Sequence, residues 1–218
     1  MLQILILAGV AVFLFWRLYL ILGVRSGFEN SINPKNIIQP QPSSDKKDDK
    51  MQEDDSDDDI SNYIELESKS GLALQEMKSM EESFTVNNFI SGAKAAYELI
   101  LIAFDQGDLK VLEKYLAEEV FEDFKNVVVN RADKGLTVET EFIGVREIRL
   151  KNVVFDEKSK ESEITVYFKS DVTSAVLDKD QNVVEGNRKK IKKQNHVWTF
   201  GRVMGSEDPT WKLVATEE

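Results

Sequence analysis

The chain has 218 residues, with 28 Lys and Arg against 39 Asp and Glu, a net charge of −11 and no cysteine. That length allows one domain with a substantial core plus appendages, and the lack of cysteine excludes a disulfide framework, a thiol nucleophile and a Cys-ligated metal. The acidic balance argues against broad nucleic-acid binding, so no DNA partner is expected.

An apolar run at the start of the chain predicts a membrane anchor. Residues 2–24 are apolar apart from Gln3 and Arg17, and as a helix they would extend about 34 Å, enough to cross a hydrocarbon core of ~30 Å. Arg17 and Arg25 lie toward the C-terminal side of the run, which the positive-inside rule would hold in the cytoplasm. We therefore expect residues 1–25 to be a single transmembrane anchor in the lipid bilayer, with the N-terminus outside. A cleavable signal peptide is the alternative, but no positive region precedes the run.

The next segment has the composition of a tether. Pro34, Pro40 and Pro42 are followed by Asp45–Asp59, which holds nine acidic residues and three lysines. So few apolar residues cannot offset the entropy of ordering the chain. We predict that residues 26–70 form a disordered acidic linker with a mean reach of roughly 35–40 Å, and that a folded domain occupies residues 71–218.

The strongest helical pattern runs from Phe84 to Gly107. Its apolar residues recur at helical spacing and form one broad stripe that must be buried against a larger partner, which we expect to be a sheet. Thr85 is a candidate N-cap, and Gly107 stands where a left-handed residue would end the helix. The stripe consists of Phe89, Ala93, Tyr97, Ile100, Leu101 and Phe104.

Three weaker helical patterns flank this central helix. Before it, Ser70 is a candidate cap for a short helix with Leu74 and Met77 on one face. After it, Asp108 begins a second helix whose inward residues are Leu109, Leu112 and Leu116. A third helix, ended by Gly135, carries the stripe Val120, Phe121, Phe124, Val127 and Val128.

Beyond Gly135 the pattern changes to the alternation that is typical of strands. Thr137–Val145 and Ile148–Phe155 are predicted to be two strands, and three more follow, separated by turn residues near 156–160, 178–182 and 205–209. The inward residues of the later strands are Ile164, Val166 and Phe168, then Trp198 and Phe200, then Trp211, Leu213 and Ala215. Helices followed by antiparallel strands predict an α+β fold.

Two blocks of sequence resemble one known family. The first is Phe89–Glu98 with Ala103-Phe104 and Gly107-Asp108-Leu109; the second is Val197–Phe200 with Arg202, Ser206, Asp208-Pro209, Trp211, Leu213 and Ala215–Glu217. Together with Arg131 and Gly135 they resemble the Tim-type import-motor adaptor domain family over residues 71–218. Leu22–Gly27 resembles the end of the anchor in the bacterial, TimA-like members. His196 departs from the family, where an acidic residue is expected.

The resemblance implies a fold and a function. The fold would be a cone of helices over a curved antiparallel sheet, similar to the nuclear-transport-factor-two and cystatin-like folds. The function would be that of a non-catalytic adaptor at the bacterial inner membrane, with its C-terminal domain in the cytoplasm, that recruits soluble factors to membrane proteins. In the mitochondrial namesake the recruited factor is a heat-shock chaperone at the translocon. A membrane anchor for ribosomes and a small-molecule isomerase or dehydratase on the same fold are the alternatives.

Two sets of residues are candidates for binding. One is aromatic, forming either core or the lining of a hydrophobic pocket for a protein segment or an acyl chain: Tyr97, Phe104, Phe121, Phe124, Trp198, Phe200 and Trp211. The other is a basic run that is either solvated surface or a contact for anionic lipid, an acidic protein or the ribosome: Arg188, Lys189, Lys190, Lys192 and Lys193.

The sequence offers little for catalysis. It has one histidine, and no cluster with the spacing of metal ligands, so no catalytic residue, cofactor or metal is expected. His196, on the same face as Trp198 and Phe200, is interpreted as a hydrogen-bonded sheet residue. Asp105 and Asp108 are interpreted as residues that end one helix and cap the next.

Overall fold

The computed structural model describes residues 59–217. Its helices are α1 (Lys69–Met80), α2 (Val86–Gln106), α3 (Leu109–Tyr115) and α4 (Glu118–Asp133), followed by the strands β1 (Thr137–Phe155), β2 (Glu161–Leu177), β3 (Val183–Val203) and β4 (Lys212–Glu217). The α+β prediction is confirmed. The predicted anchor lies outside the described residues, and within them no helix is both long and apolar enough to span a bilayer.

The strands form one antiparallel meander in the order β1-β2-β3-β4. The two strands predicted for Thr137–Val145 and Ile148–Phe155 are a single strand of 19 residues. Its register against β2 shifts three times, between Phe142 and Gly144 and at two points beyond. These irregularities let the strand bend while it stays paired, so the break in alternation is a bulge rather than a turn.

The central helix ends where its sequence predicts. The Thr85 hydroxyl accepts a hydrogen bond from the backbone N–H of Asn88, and Gly107 closes the other end in the left-handed conformation at φ 73°. The carboxylate of Asp59 also accepts from the N–H groups of Val86 and Asn87, at 2.6 and 3.0 Å. Two acceptors therefore satisfy donors that the first turn of a helix leaves unpaired.

Order begins earlier than the predicted domain boundary. Ile60 and Asp59 are buried, although composition assigned them to the linker. The first helix is capped by Ser68, whose side chain accepts from the N–H of Gly71. The predicted cap, Ser70, lies inside the helix because its hydroxyl accepts a hydrogen bond from the β1 residue Val153, at 3.0 Å.

The core lies between α2 and the sheet. Tyr97 and Ile100 are completely buried, and the Tyr97 ring stacks on Phe168 with centroids 4.3 Å apart. The centroid of the Trp198 ring lies 4.7 Å from the centroid of the Tyr97 ring. The predicted partner of the central stripe is thus confirmed as the sheet.

Three inward assignments are wrong. Phe104 is only partly buried and packs on Phe124 of α4, with centroids 4.8 Å apart, instead of lying under the sheet. Val127 is 52% exposed because the covered face of α4 passes through Phe124 and Val128. Ala215 is exposed.

Candidate partner-binding groove

An open groove lies between the first half of α2, the end of α3 and the segment that joins β3 to β4. Its volume is about 440 Å³. The apolar lining consists of Phe84, Phe89, Ala93, Ala96, Tyr115, Phe200 and Trp211, and the polar lining includes Glu81, Asn88, Arg202 and Thr210. Both blocks of family resemblance therefore meet at one surface.

Aromatic rings form the wall of the groove. Phe89 packs edge to face against Trp211, with centroids 4.8 Å apart, and lies 6.2 Å from Phe200. Phe84 lies 6.2 Å from Trp211 on the other side. Such tilted arrangements are favourable for aromatic rings, and here they join the start of α2 to β3 and to the residue that precedes β4.

Small residues on α2 leave the groove open. Gly92, Ala93 and Ala96 line it, and a Cβ atom added at Gly92 would meet no atom within 4 Å. A larger side chain at Gly92 would therefore occupy the groove without displacing the core.

A buried ion pair borders the groove. The Arg202 guanidinium contacts the carboxylate of Glu81, and the two side chains are 8% and 21% exposed. Glu81 also accepts from the N–H of Gly205 at 3.0 Å, while Arg202 lies 5.2 Å from the Trp211 ring centroid. Burial raises the pKa of the Glu81 carboxyl, but the bonds from Arg202 and Gly205 outweigh it and hold this pKa below its ordinary value.

The predicted aromatic set divides among three places. Phe200 and Trp211 line the groove, whereas Tyr97 and Trp198 belong to the core under α2. The remaining three, Phe104, Phe121 and Phe124, are partly buried and pack against the core.

Sequence reasoning missed several groove residues. Phe84 and Phe89 were recognised only as helix-start and stripe positions, and Tyr115 was not singled out. Arg202 stood in the second block of resemblance without an assigned role. A signal did exist, because Phe84 and Phe89 flank the cap Thr85 at the spacing of a hydrophobic staple.

The only histidine is engaged in the core. The Tyr97 hydroxyl lies 2.7 Å from Nδ1 of His196 and 2.9 Å from Oγ of Ser170. Burial raises the pKa of Tyr97, and the hydrogen bond with Ser170 partly opposes that rise. His196 is thus a hydrogen-bonded sheet residue, as predicted.

The two aspartates beside the helix junction have different roles. Asp108 caps α3 by accepting from the N–H groups of Lys110 and Val111, both at 3.2 Å. Burial raises the pKa of Asp105, while a hydrogen bond with Thr140 and the charge of Arg131 oppose the rise. The Asp105 carboxylate is thus partly buried near Thr140 of β1 and Arg131 of α4.

Arg131 ties the end of α2 to α4. Its guanidinium donates to the backbone carbonyls of Phe104 and Asp105, at 2.6 and 2.9 Å. These carbonyls belong to the last turn of α2, where the Phe104 carbonyl also accepts from the N–H of the capping residue Gly107. Burial lowers the pKa of Arg131 despite the neighbouring Asp105.

The basic run lies on β3 and is exposed along its length. Arg188 pairs with Glu139 of β1. Among the described residues, no carboxylate lies within 4.0 Å of Lys189, Lys190, Lys192 or Lys193. Residues 59–217 also contain no group of three or more His, Asp or Glu residues able to hold a metal ion.

A four-stranded meander carrying helices and an open apolar groove defines the described part as an α+β domain. The Tim44-like domain family model matches residues 70–218, and the chain belongs to this family. The family resemblance seen in the sequence is thereby confirmed. Mitochondrial import inner membrane translocase subunit TIM44-1 of Arabidopsis thaliana is 23% identical over 154 residues.

That alignment includes 67% of this chain and 32% of the plant protein, so the chain spans about a third of its relative. Among solved structures, the intermembrane space region of the chloroplast protein ARC6 aligns with a TM-score of 0.41 and 11% identity, covering 59% of this chain and 94% of that one. A designed β-sheet protein aligns with a TM-score of 0.27 and 14% identity, over 60% and 88% of the two chains. Likenesses this low assign no function.

Proposed function

We propose that this protein is a membrane-anchored, non-catalytic adaptor that recruits soluble factors, such as a chaperone, to the inner membrane or to membrane protein complexes. Family membership and the translocase role in the relative's name support an adaptor in protein transport. The apolar run at residues 2–24 supports anchoring. The acidic segment that follows supports a flexible tether, whose length would set how far the domain can move from the membrane.

The groove is the observation that carries this proposal. It is open and mostly apolar and has a few polar groups at its border, as is common for sites that bind a partner's side chains or a small molecule. An apolar segment of a partner would pack on Phe89 and Trp211, with its polar flank near the Glu81–Arg202 pair.

The proposed location is the bacterial inner membrane, with one pass and the domain in the cytoplasm. Arg17 and Arg25 support this orientation through the positive-inside rule. The run also lacks the Arg-rich and Ser-rich amphipathic character of a mitochondrial transit peptide.

A substitution at Gly92 tests the groove without disturbing the core. Gly92→Trp would fill the groove, whereas Gly92→Ala adds only a methyl group and should stabilise the helix by about 0.5–1 kcal/mol. We expect full-length protein extracted from membranes to lose its chaperone or envelope-protein partners with Trp and to keep them with Ala, as measured by quantitative mass spectrometry. Equal recovery with both variants would contradict the proposal.

Anchoring of ribosomes is the second candidate, and the exposed basic run favours it. Ribosomal RNA would attract Lys189, Lys190, Lys192 and Lys193, and the binding would weaken steeply with salt. Recovery of ribosomal proteins in place of chaperones would favour this candidate. The isomerase or dehydratase alternative has no such support, because Nδ1 of His196 is engaged by Tyr97.

A further inference from the structure

Other parts of the domain contact both outer strands of the sheet at single backbone positions. On β1, the N–H of Val153 donates to the α1 residue Ser70. On β4, the carbonyl of Leu213 accepts from the N–H of Ala117 at 2.9 Å. Covering an edge in this way prevents unwanted pairing with other chains.

Part of β3 has no strand on its outer side. Strand β4 pairs with β3 only from Val197 to Gly201, although β3 itself spans Val183–Val203. Lys192–Asn195 pairs with β2 on one side, and no strand among residues 59–217 pairs with it on the other. The last β4 residue that pairs with β3 is Glu217, which faces Val197. The open edge at Lys192–Asn195 begins two residues before Val197 on β3.

A bulge carries most of the positive charge beside the open edge. Ser174 of β2 pairs with Asn187 and Val172 pairs with Lys192, so four residues of β3, Arg188–Ile191, face Thr173 alone. The Asn187 side chain accepts from the N–H groups of Lys189 and Lys190, at 2.8 and 3.1 Å. The bulge is therefore built by local hydrogen bonds and ends at the open edge.

We propose that the open edge, Lys192–Asn195, accepts an extended acidic segment of a protein partner as an added strand. This deepens the proposed adaptor function, on which it rests, by naming a second contact and its chemistry. Free backbone groups supply the hydrogen bonds of strand addition. Lys192, Lys193 and the bulge supply the charge that selects an acidic strand.

Charge also excludes the simplest competing occupant. Two copies of this chain pairing edge to edge would bring their basic runs together, and like charges across a strand pair are destabilising. Lysines on an edge strand commonly prevent pairing, but they do so only against neutral or basic strands. An acidic strand relieves the repulsion.

The test uses the full-length chain in detergent and a fluorescent eight-residue peptide in which Glu and Val alternate. We expect binding that weakens about tenfold or more between low salt and 0.3 M salt, because the attraction is electrostatic. A peptide of the same charge, N-methylated at every residue, should not bind, since neither of its edges keeps the N–H donors of a strand. Equal binding of both peptides would mean charge attraction alone and would overturn the proposal.

Matched variants locate the site. Changing Lys189, Lys190, Lys192 and Lys193 to Gln should weaken peptide binding about tenfold or more at an unchanged melting temperature. Changing Lys94, Lys110, Lys134 and Lys158, which are exposed elsewhere, to Gln removes the same number of charges and should have little effect. Protection from hydrogen exchange on binding should appear at Lys192–Asn195. Protection elsewhere only would overturn the proposal.

Other occupants give distinct results. Tighter binding of an RNA oligonucleotide of equal charge would overturn the proposal in favour of a nucleic-acid contact. Binding that appears only after Glu53, Asp54, Asp55, Asp57 and Asp58 are neutralised would mean that the chain's own acidic segment is the occupant, which also overturns it. Gly92→Trp should leave peptide binding intact, so failure of the groove and failure of the edge are distinguishable.

Discussion

Tyr97 is the residue at which the central helix and the sheet are joined by both packing and hydrogen bonds. Its ring stacks on Phe168, and its hydroxyl lies within hydrogen-bond distance of Ser170 and His196. A hydroxyl buried this deeply must be paired, because an unpaired one costs free energy. The ring position is readable from helical spacing, whereas the hydroxyl's partners lie on strands more than 70 residues away.

Tyr97→Phe should lower the free energy of unfolding by about 1–3 kcal/mol, because Ser170 and His196 lose a buried partner. Thermal and denaturant unfolding would measure the change. Tyr63→Phe is the matched control, since that hydroxyl bonds to Asn87 at an exposed position and should cost less than about 1 kcal/mol. Equal losses in the two variants would contradict the role assigned to Tyr97.

Glu81→Gln tests the ion pair through its pH dependence. The folded-state pKa of Glu81 lies below its ordinary value of 4.5, so its contribution to stability is complete above that pH and is lost as the pH falls through the lower, folded value. At pH 7 the variant should lose about 1–3 kcal/mol, because Arg202 keeps a buried charge without its carboxylate. The difference from the wild type should close in acid. A difference that stays constant with pH would show that the pair does not titrate as described.

At the scale of elements, the helix α2 was predictable because its signals are local. Thr85 and Gly107 act within one turn of the helix, so these two signals can be read from the local sequence, whereas the contact of Asp59 with the first turn cannot. The start of α1 was not predictable in this way, because Ser68 and Ser70 are equally good candidates for the cap in the sequence. Only the structure shows that the Ser70 hydroxyl instead accepts a hydrogen bond from the N–H of Val153 in β1. The long β1 strand was missed for a similar reason, since its bulges are visible only in the pairing with β2.

Two substitutions in α2 separate its two faces. Ile100 is completely buried beneath the sheet side of the helix, so Ile100→Ala should cost about 2–5 kcal/mol. Phe104 is partly buried between α2 and α4, so Phe104→Ala should cost less, at most about 3 kcal/mol. Chemical denaturation of both variants would rank them. A larger loss for Phe104→Ala than for Ile100→Ala would contradict the partial burial of Phe104 in the structure. It would favour the burial under the sheet that the sequence predicted.

At the scale of the whole molecule, the groove depends on segments far apart in the sequence. Phe89 comes from the central helix, Phe200 comes from β3, and Trp211 directly precedes β4. Periodicity identifies each as apolar but does not bring them together. The two blocks of family resemblance gave the residues, and the antiparallel pairing of β3 with β4 against α2 accounts for the surface that they share.

The proposed division of labour follows from this arrangement. The apolar N-terminal run would hold the protein at the membrane, the acidic segment would set its reach, and the domain would make contact through the groove and the open edge of β3. The two contact surfaces differ in chemistry, one apolar and one basic. They can therefore be tested separately in the same full-length protein.

Photo-crosslinking in intact membranes tests the central claim most directly. A photoreactive amino acid at position 96 would face the groove, whereas the same group at position 95 would face solvent, because Ala96 lines the groove and Ala95 is exposed. We predict crosslinks to a protein partner from position 96, their loss when Gly92→Trp is added, and none to that partner from position 95. Equal crosslinking from both positions, or none from position 96 in a folded protein, would contradict the groove as the site of recruitment.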